Sequence, residues 1–176
     1  MSGHNKFSKI KHIKAKNDAD KSKHFGKLVR LITVESKKAK GNISSPGLAA
    51  AIDKAHKENM PNDTIERAVK KGATDNSAAM EQIIYESYGP GGVAILVEAL
   101  TDNRNKAAQE IKHVLSLHGF ELASPGSASW AFQKTREGWT PTTTMPLEDS
   151  DIDLLTKLVE DLENNEEVQE VFTNAE

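Results

Sequence analysis

The sequence predicts an α+β protein in two parts, a three-helix domain followed by a sheet-forming domain, and three observations carry that prediction. Apolar residues recur at helical spacing as far as Gly72 and change to strand-like runs after Met80. A polar, small-residue stretch over 73–79 separates the two patterns and reads as a linker. From Val93 onward the runs follow the order strand, helix, strand, strand, helix, strand. That is the split βαβ order of ferredoxin-like domains, here with one extra N-terminal strand.

Residues 1–16 place Lys6, Lys9, Lys11, Lys14 and Lys16 among Phe7, Ile10 and Ile13. The segment lacks the apolar face a free helix needs and is expected to be a basic, flexible arm. The helical domain, 17–72, opens with a helix from Asn17 or Asp18 towards Lys40, along which Phe25, Leu28, Val29, Ile32 and Ala39 recur and which Gly41 stops. Ser45 is placed to cap a second helix, Pro46 suits its first position, and Leu48, Ala51, Ile52 and Ala55 form its stripe. Asp63 and Glu66 resemble a capping box for a third helix with Ile65, Ala68 and Val69 facing inward and Gly72 closing it.

The second domain, 80–176, begins with strands over Ile83–Tyr88 and Val93–Leu100, joined by a hairpin turn at Gly89-Pro90-Gly91-Gly92. A helix starts at Thr101, Asp102 or Asn103, carries Ala107, Ala108, Ile111, Val114 and Leu115, and ends at Gly119. Strands over Ser127–Phe132 and Thr140–Met145 flank a turn at Thr135–Gly138. Ile152, Leu155, Leu158, Val159 and Leu162 mark the last helix, and Val168–Phe172 the last strand. The expected sheet is antiparallel with both helices on one face, leaving the other face for partners or solvent.

Charge is the main functional signal. Met1–Lys40 hold 12 of the 23 Lys and Arg residues but 3 of the 26 acids, in a chain whose formal charge is −3. Leu147–Glu176 hold 11 acids and one lysine. Such asymmetry points the basic end at a polyanion, and lysines suit phosphate because each is a compact point charge. The candidate nucleic-acid contacts are Lys6, Phe7, Lys9, Lys11, His12, Lys14 and Lys16 in the arm, with Lys21 and Lys23 following in the first helix. Arg104 and Asn105, expected beside the Gly-rich turn, join them.

Other chemistries find no support. The Gly-rich turn lacks phosphate-loop spacing. His4, His12 and His24 lack companion carboxylates at metal-ligand spacing, and His113 and His118 fall on different helix faces. No catalytic arrangement stands out, so no enzyme activity, cofactor, metal or small-molecule substrate is expected. The absence of cysteine fits a reducing, cytoplasmic setting. No membrane-spanning run or secretory pattern is present, and Ser2 stands where myristoylation requires glycine. The open sheet face and the acidic C-terminal helix are candidate surfaces for a protein partner.

The chain resembles the YebC/PmpR family, to which mitochondrial translational activators of cytochrome oxidase also belong. The resemblance is carried by Gly3-His4-Asn5-Lys6, Ile10-Lys11-His12, Ala51-Ile52-Asp53-Lys54-Ala55 and Asn59-Met60-Pro61, with Arg67-Ala68 and Lys70-Lys71-Gly72. Tyr85-Glu86, Tyr88-Gly89-Pro90-Gly91-Gly92-Val93-Ala94, Thr101-Asp102-Asn103-Arg104-Asn105, Pro141-Thr142-Thr143 and Val168 to Asn174 extend it over nearly the whole length. It implies a non-enzymatic cytoplasmic protein whose basic arm and first helix face nucleic acid. Members are described as regulators at promoter DNA, or as translation factors that associate with ribosomal RNA and relieve stalls, notably at proline-rich stretches. The chain departs at Phe7 (often Trp), Ile13 (Arg), Ser87 (Gly) and Lys106-Ala107 (Arg-Thr). Typical members also insert a further α/β domain between Phe132 and Pro141, where only Gln133–Thr140 intervene. The chain therefore reads as a shortened form in which a hairpin completes the ferredoxin-like sheet. A ribosome-associated translation factor is the expected function, with a promoter-binding regulator as the alternative: an arm without a recognition helix or dimer seam suits folded RNA better than major-groove reading.

Overall fold

The computed structural model describes residues 18–77, 79–136 and 138–176, and the chain divides between Met80 and Glu81 into two compact units. In the first, α1 (Asp18–Ala39), α2 (Pro46–Lys57) and α3 (Asn62–Thr74) follow one another as expected. Leu28, Leu31 and Ile32 of α1 pack with Leu48, Ala51 and Ala55 of α2, with Met60, and with Ile65 and Ala68 of α3. Small residues bring α1 and α3 close together. A Cβ on Gly72 would collide with the Thr33 carbonyl oxygen and lie 2.6 Å from the Ser36 Cβ. The fully buried Ser36 hydroxyl donates to the Val69 carbonyl at 2.6 Å, which offsets the cost of burying it.

The helices lie where expected, and it is their capping that differs. α1 closes with the Gly41 N–H on the Ser36 carbonyl at 2.9 Å and the Lys40 N–H on that of Lys37 at 3.3 Å. Gly41, with φ of 78°, stops the helix as expected, and Lys40, with φ of 51°, shares the left-handed conformation. Asn59, at φ 60°, closes α2 in the same way and turns Met60 into the core. Ser45 precedes Pro46 as expected, but its side chain makes no capping bond. The Asp63–Glu66 capping box does not form: α3 starts at Asn62 behind Pro61, whose carbonyl accepts from Thr64 and Ile65 at 3.0 and 3.2 Å. Proline fixes the entry early, which leaves Asp63 inside the first turn, where it complements the helix dipole.

The second unit runs β1 (Glu81–Tyr88), β2 (Ala94–Thr101), α4 (Arg104–Leu117), β3 (Leu122–Ala123), β4 (Phe132–Thr135), β5 (Gly138–Pro141), α5 (Asp149–Glu163) and β6 (Val168–Thr173). Four strands form an antiparallel sheet in the order β3-β1-β2-β6, and β4-β5 form a separate two-stranded ribbon. The sheet keeps the ferredoxin-like layout, since β2 and β3 run parallel with one strand between them, but the strand assignments change. The extra N-terminal strand, β1, fills the central place expected for Thr140–Met145. The hairpin does not complete the sheet. Locality explains the exchange: β1 joins β2 through a short turn and pairs along all eight residues, from Glu81↔Thr101 to Tyr88↔Ala94, at little loop-closure cost. Ser127–Phe132 is correspondingly not a strand. It holds a 3₁₀ turn over Ser129–Ala131, and the third strand of the sheet is the short Leu122–Ala123.

β2 is buried on both faces. Val93, Ile95, Val97 and Ala99 meet Ile111 and Leu115 of α4 and Leu155, Leu158, Val159 and Leu162 of α5. Ala94 and Leu96 face the other way, against Ala128, Ala131 and Phe132, with Trp139 and Phe172 packed beside them. The face expected to be open is thus covered over Ala94 and Leu96 by the 3₁₀ turn and ribbon, because the residues freed from the sheet fold back onto it. Asn174, 4% exposed, fastens this layer: its Oδ1 accepts from the Ala94 N–H at 2.7 Å and its Nδ2 donates to the Thr143 carbonyl at 3.0 Å. Asn174→Ala leaves a buried N–H and a carbonyl without their partner. Urea unfolding followed by tryptophan fluorescence is expected to show a loss of about 2–4 kcal/mol.

Candidate nucleic-acid interface

Lys6, Phe7, Lys9, Lys11, His12, Lys14 and Lys16 lie outside the described residues. Lys21 and Lys23 lie in α1, and Lys23 is exposed. Lys23, Lys27 and Arg30 succeed one another at spacings of four and three, on a side of α1 away from Leu28 and Ile32. Lys27 and Arg30 were missed in the sequence reading, although that helical spacing was available to it. Further along, Lys37 donates to the Ser77 carbonyl and Lys38 pairs with Glu35 at 3.0 Å. His24 lies 3.5 Å from Glu58. Charge divides where the fold does: residues 1–80 hold 17 Lys and Arg against 8 acids, residues 81–176 hold 6 against 18.

Arg104 and Asn105 are exposed at the start of α4, which the Asn103 side chain caps by accepting from the Lys106 N–H at 3.1 Å. They do not stand beside the Gly-rich turn. Arg104 Nε donates to Glu81 at 3.1 Å, and Glu81 pairs with Thr101, whereas the turn follows Tyr88↔Ala94 at the other end of the hairpin. An eight-residue strand separates them by about 23 Å. Both partners of the Arg104–Glu81 pair are largely exposed, so the pair holds Arg104 only weakly. Tyr85 donates to the Arg104 carbonyl at 3.2 Å, and burial raises its phenol above the ordinary value of 10.0. Behind Arg104, Lys106 Nζ lies 3.3 Å from Glu167 and 3.9 Å from Glu110. The hydrogen bond to Glu167 is the main cause that raises the Lys106 ammonium above 10.5. Glu167 is 5% exposed and its second oxygen has no partner, so the ammonium is its principal compensation.

The sequence reading also passed over the end of the sheet that carries the Gly-rich turn. Glu86, buried on β1, accepts from the Gly126 N–H and, at 2.7 Å, from the Ser129 N–H. The loop so held presents Trp130, which is 60% exposed and donates its indole N–H to Tyr88 Oη at 3.0 Å. Tyr88 in turn donates to the Ser127 carbonyl. Lys134 lies over the Trp139 ring, 5.8 Å from its centre. Among the described residues no group of three His, Cys, Asp or Glu side chains could hold a metal, and no helix is long and apolar enough to cross a membrane.

A helical unit rich in lysine, followed by an acidic α+β unit of permuted ferredoxin-like layout, defines the class of protein. The profile of the TACO1/YebC protein N-terminal domain matches residues 5–75, and that of the TACO1/YebC second and third domain matches residues 80–137. A protein of Fervidobacterium nodosum named "Probable transcriptional regulatory protein" is 50% identical over 136 residues, covering 76% of this chain and 54% of its own length. One of the same name from Petrotoga mobilis is 44% identical over 184 residues, covering 100% and 71%. The chain spans about half the length of the first of these relatives. The crystal structure of a conserved hypothetical protein, Aq1575 from Aquifex aeolicus, superposes with a TM-score of 0.76 at 31% identity, covering 92% of this chain and 93% of that one. The chain belongs to the TACO1/YebC family.

The Lys106–Glu167 pair gives a pH-dependent expectation. A lysine raised on folding contributes stability that is complete below 10.5 and is lost as pH rises through its folded value. Lys106→Met is expected to lower the melting temperature by a constant amount between pH 7 and 9. The difference from the parent chain then shrinks above pH 10.5, as thermal melts across that range would show.

Proposed function

We propose that the protein is a non-enzymatic, nucleic-acid-binding regulator of gene expression that uses its basic N-terminal arm and the lysine-bearing side of α1 to hold RNA of the ribosome. The observation that carries this reading is the coincidence of charge with architecture: an excess of nine positive charges precedes Glu81 and an excess of twelve negative charges follows Met80. A polyanion is attracted to the stretch before Glu81 and repelled by the stretch after Met80. Lys6, Lys9, Lys11, Lys14 and Lys16 neutralise phosphates, Phe7 and His12 stack or hydrogen-bond, and Lys21, Lys23, Lys27 and Arg30 extend the track along α1. Arg104 and Asn105 lie on the acidic unit and supply at most an outlying contact.

The second reading, promoter DNA, is favoured by the printed name of the relatives from Fervidobacterium nodosum and Petrotoga mobilis. Cosedimentation with ribosomes, run beside a duplex-DNA titration at several salt concentrations, separates the two. Ribosome binding is expected to fall about tenfold or more on Lys9→Glu with Lys11→Glu, and the salt slope to flatten by about one for each lysine in contact. Ribosome binding that survives removal of residues 1–16 would exclude the arm as the contact. Sequence-selective duplex binding without ribosome association would establish the second reading.

A further inference from the structure

The acidic unit carries one surface unlike the rest of it. Of its 18 acids only Glu137 falls between Leu122 and Leu147, a stretch that contains Lys134 and Arg136 and is otherwise dominated by hydroxyl, small and aromatic residues. This stretch forms the layer over Ala94 and Leu96, and at its start it holds Trp130 out towards solvent. The orientation of the ring is built, not incidental. The indole N–H is satisfied by Tyr88 Oη, Tyr88 is tied to the Ser127 carbonyl, and the backbone on either side of Ser127 hangs on the buried Glu86 carboxylate through Gly126 and Ser129. The polar edge of the indole is therefore occupied while its surface stays exposed. Tyr88, 37% exposed, adds a second aromatic group beside it. Leaving an indole this exposed forgoes the burial energy that normally draws it inward.

We propose that Trp130, supported by Tyr88, is a stacking platform for an unpaired base of single-stranded nucleic acid. Base stacking needs a rigid exposed π-surface with its polar edge already bonded, and the strand it belongs to needs a surface without acidic repulsion. The bonded, exposed ring meets the first condition and the scarcity of acids between Leu122 and Leu147 favours the second, and nowhere else among the described residues is a tryptophan exposed. Glu86 acts as a positioning residue, through the loop and not through contact with a base. The proposal extends the nucleic-acid reading above to a second, independent contact, one that distinguishes unpaired from paired strands where the lysine arm does not.

The test uses the full chain and twelve-nucleotide oligo(A) and oligo(dA), with a hairpin RNA duplex as the control ligand. Binding is read by anisotropy of the labelled oligonucleotide and by quenching of tryptophan fluorescence. The parent chain is expected to show quenching with oligo(A) that Trp130→Leu abolishes, with the anisotropy affinity falling about tenfold and duplex affinity unchanged. Oligo(dA) tells whether the 2′-hydroxyl contributes: equal losses assign a base platform common to both strands, and a loss confined to oligo(A) assigns one for RNA. Trp130→Phe keeps a π-surface and is expected to recover most of the affinity. Glu86→Gln, which loosens the loop, is expected to weaken oligo(A) but not duplex binding. Unchanged oligo(A) affinity in a folded Trp130→Leu chain overturns the proposal, and if the same substitution changes the sedimentation coefficient the ring belongs to a contact between copies. Lys9→Glu with Lys11→Glu provides the separation from the arm: its failure to weaken the duplex counts against the arm alone, whereas failure of Trp130→Leu counts against the platform alone.

Discussion

Burial of β2 on both faces is the constraint from which the architecture of the acidic unit follows. Ile95, Leu96, Val97, Ala99 and Leu100 are all fully buried, so neither face of this strand can be left to water. A one-residue slip would exchange Val97 for Leu96 beneath the helices and misplace every neighbour. Two devices at the same end hold the register. The turn at Gly89–Gly92, where Gly91 and Gly92 take positive φ, brings β1 alongside, and Asn174 grips the Ala94 N–H from the far end of the chain. Helices α4 and α5 cover one side of the strand, and the remaining chain has to cover the other. That demand draws the 3₁₀ turn and the β4–β5 ribbon out of the sheet.

Much of this was legible in the residues. Period-3.6 patterns located the five helices among the described residues to within a few residues, because each buries a clear stripe such as Ile152, Leu155, Val159 and Leu162 on α5. The strand pair around Gly89–Gly92 was equally clear from its turn chemistry. Which strand lies beside which was not, since Ile83–Tyr88 and Thr140–Met145 have similar strand character and only the closure of a local hairpin favours the former. Capping was misjudged where proline controls the entry, as at Pro61, and where Lys40 or Asn59 takes a conformation usually given to glycine. The exposure of Trp130 could not be read at all, because an isolated tryptophan in a small-residue loop carries no period.

The buried polar groups of the acidic unit share a single task, which is to tie irregular backbone to regular strands. Ser87 donates its hydroxyl to the Glu121 carbonyl at 2.8 Å and so fastens the approach to β3. Glu86, beside it, points to the opposite face and holds the Gly126–Ser129 loop. One strand thus secures two connections through adjacent residues, as the alternation of a pleated strand allows. Hydrophobic burial fixes where the sheet lies, and these hydrogen bonds fix how the loops leave it.

The β4–β5 ribbon has a consequence for how this architecture can vary. Among the described residues its strands pair with each other, from Phe132↔Pro141 to Thr135↔Gly138. The match to the family's second and third domain stops between these strands, at residue 137. Because Thr135 and Gly138 are already neighbours, the ends of a folded cassette could be seated there without moving any strand of the main sheet. Chain length at this point is set apart from the strand pairing of the main sheet, since β4 and β5 share no ladder with it. The ribbon is thus a place where the chain leaves and rejoins the layer over β2 at adjacent points.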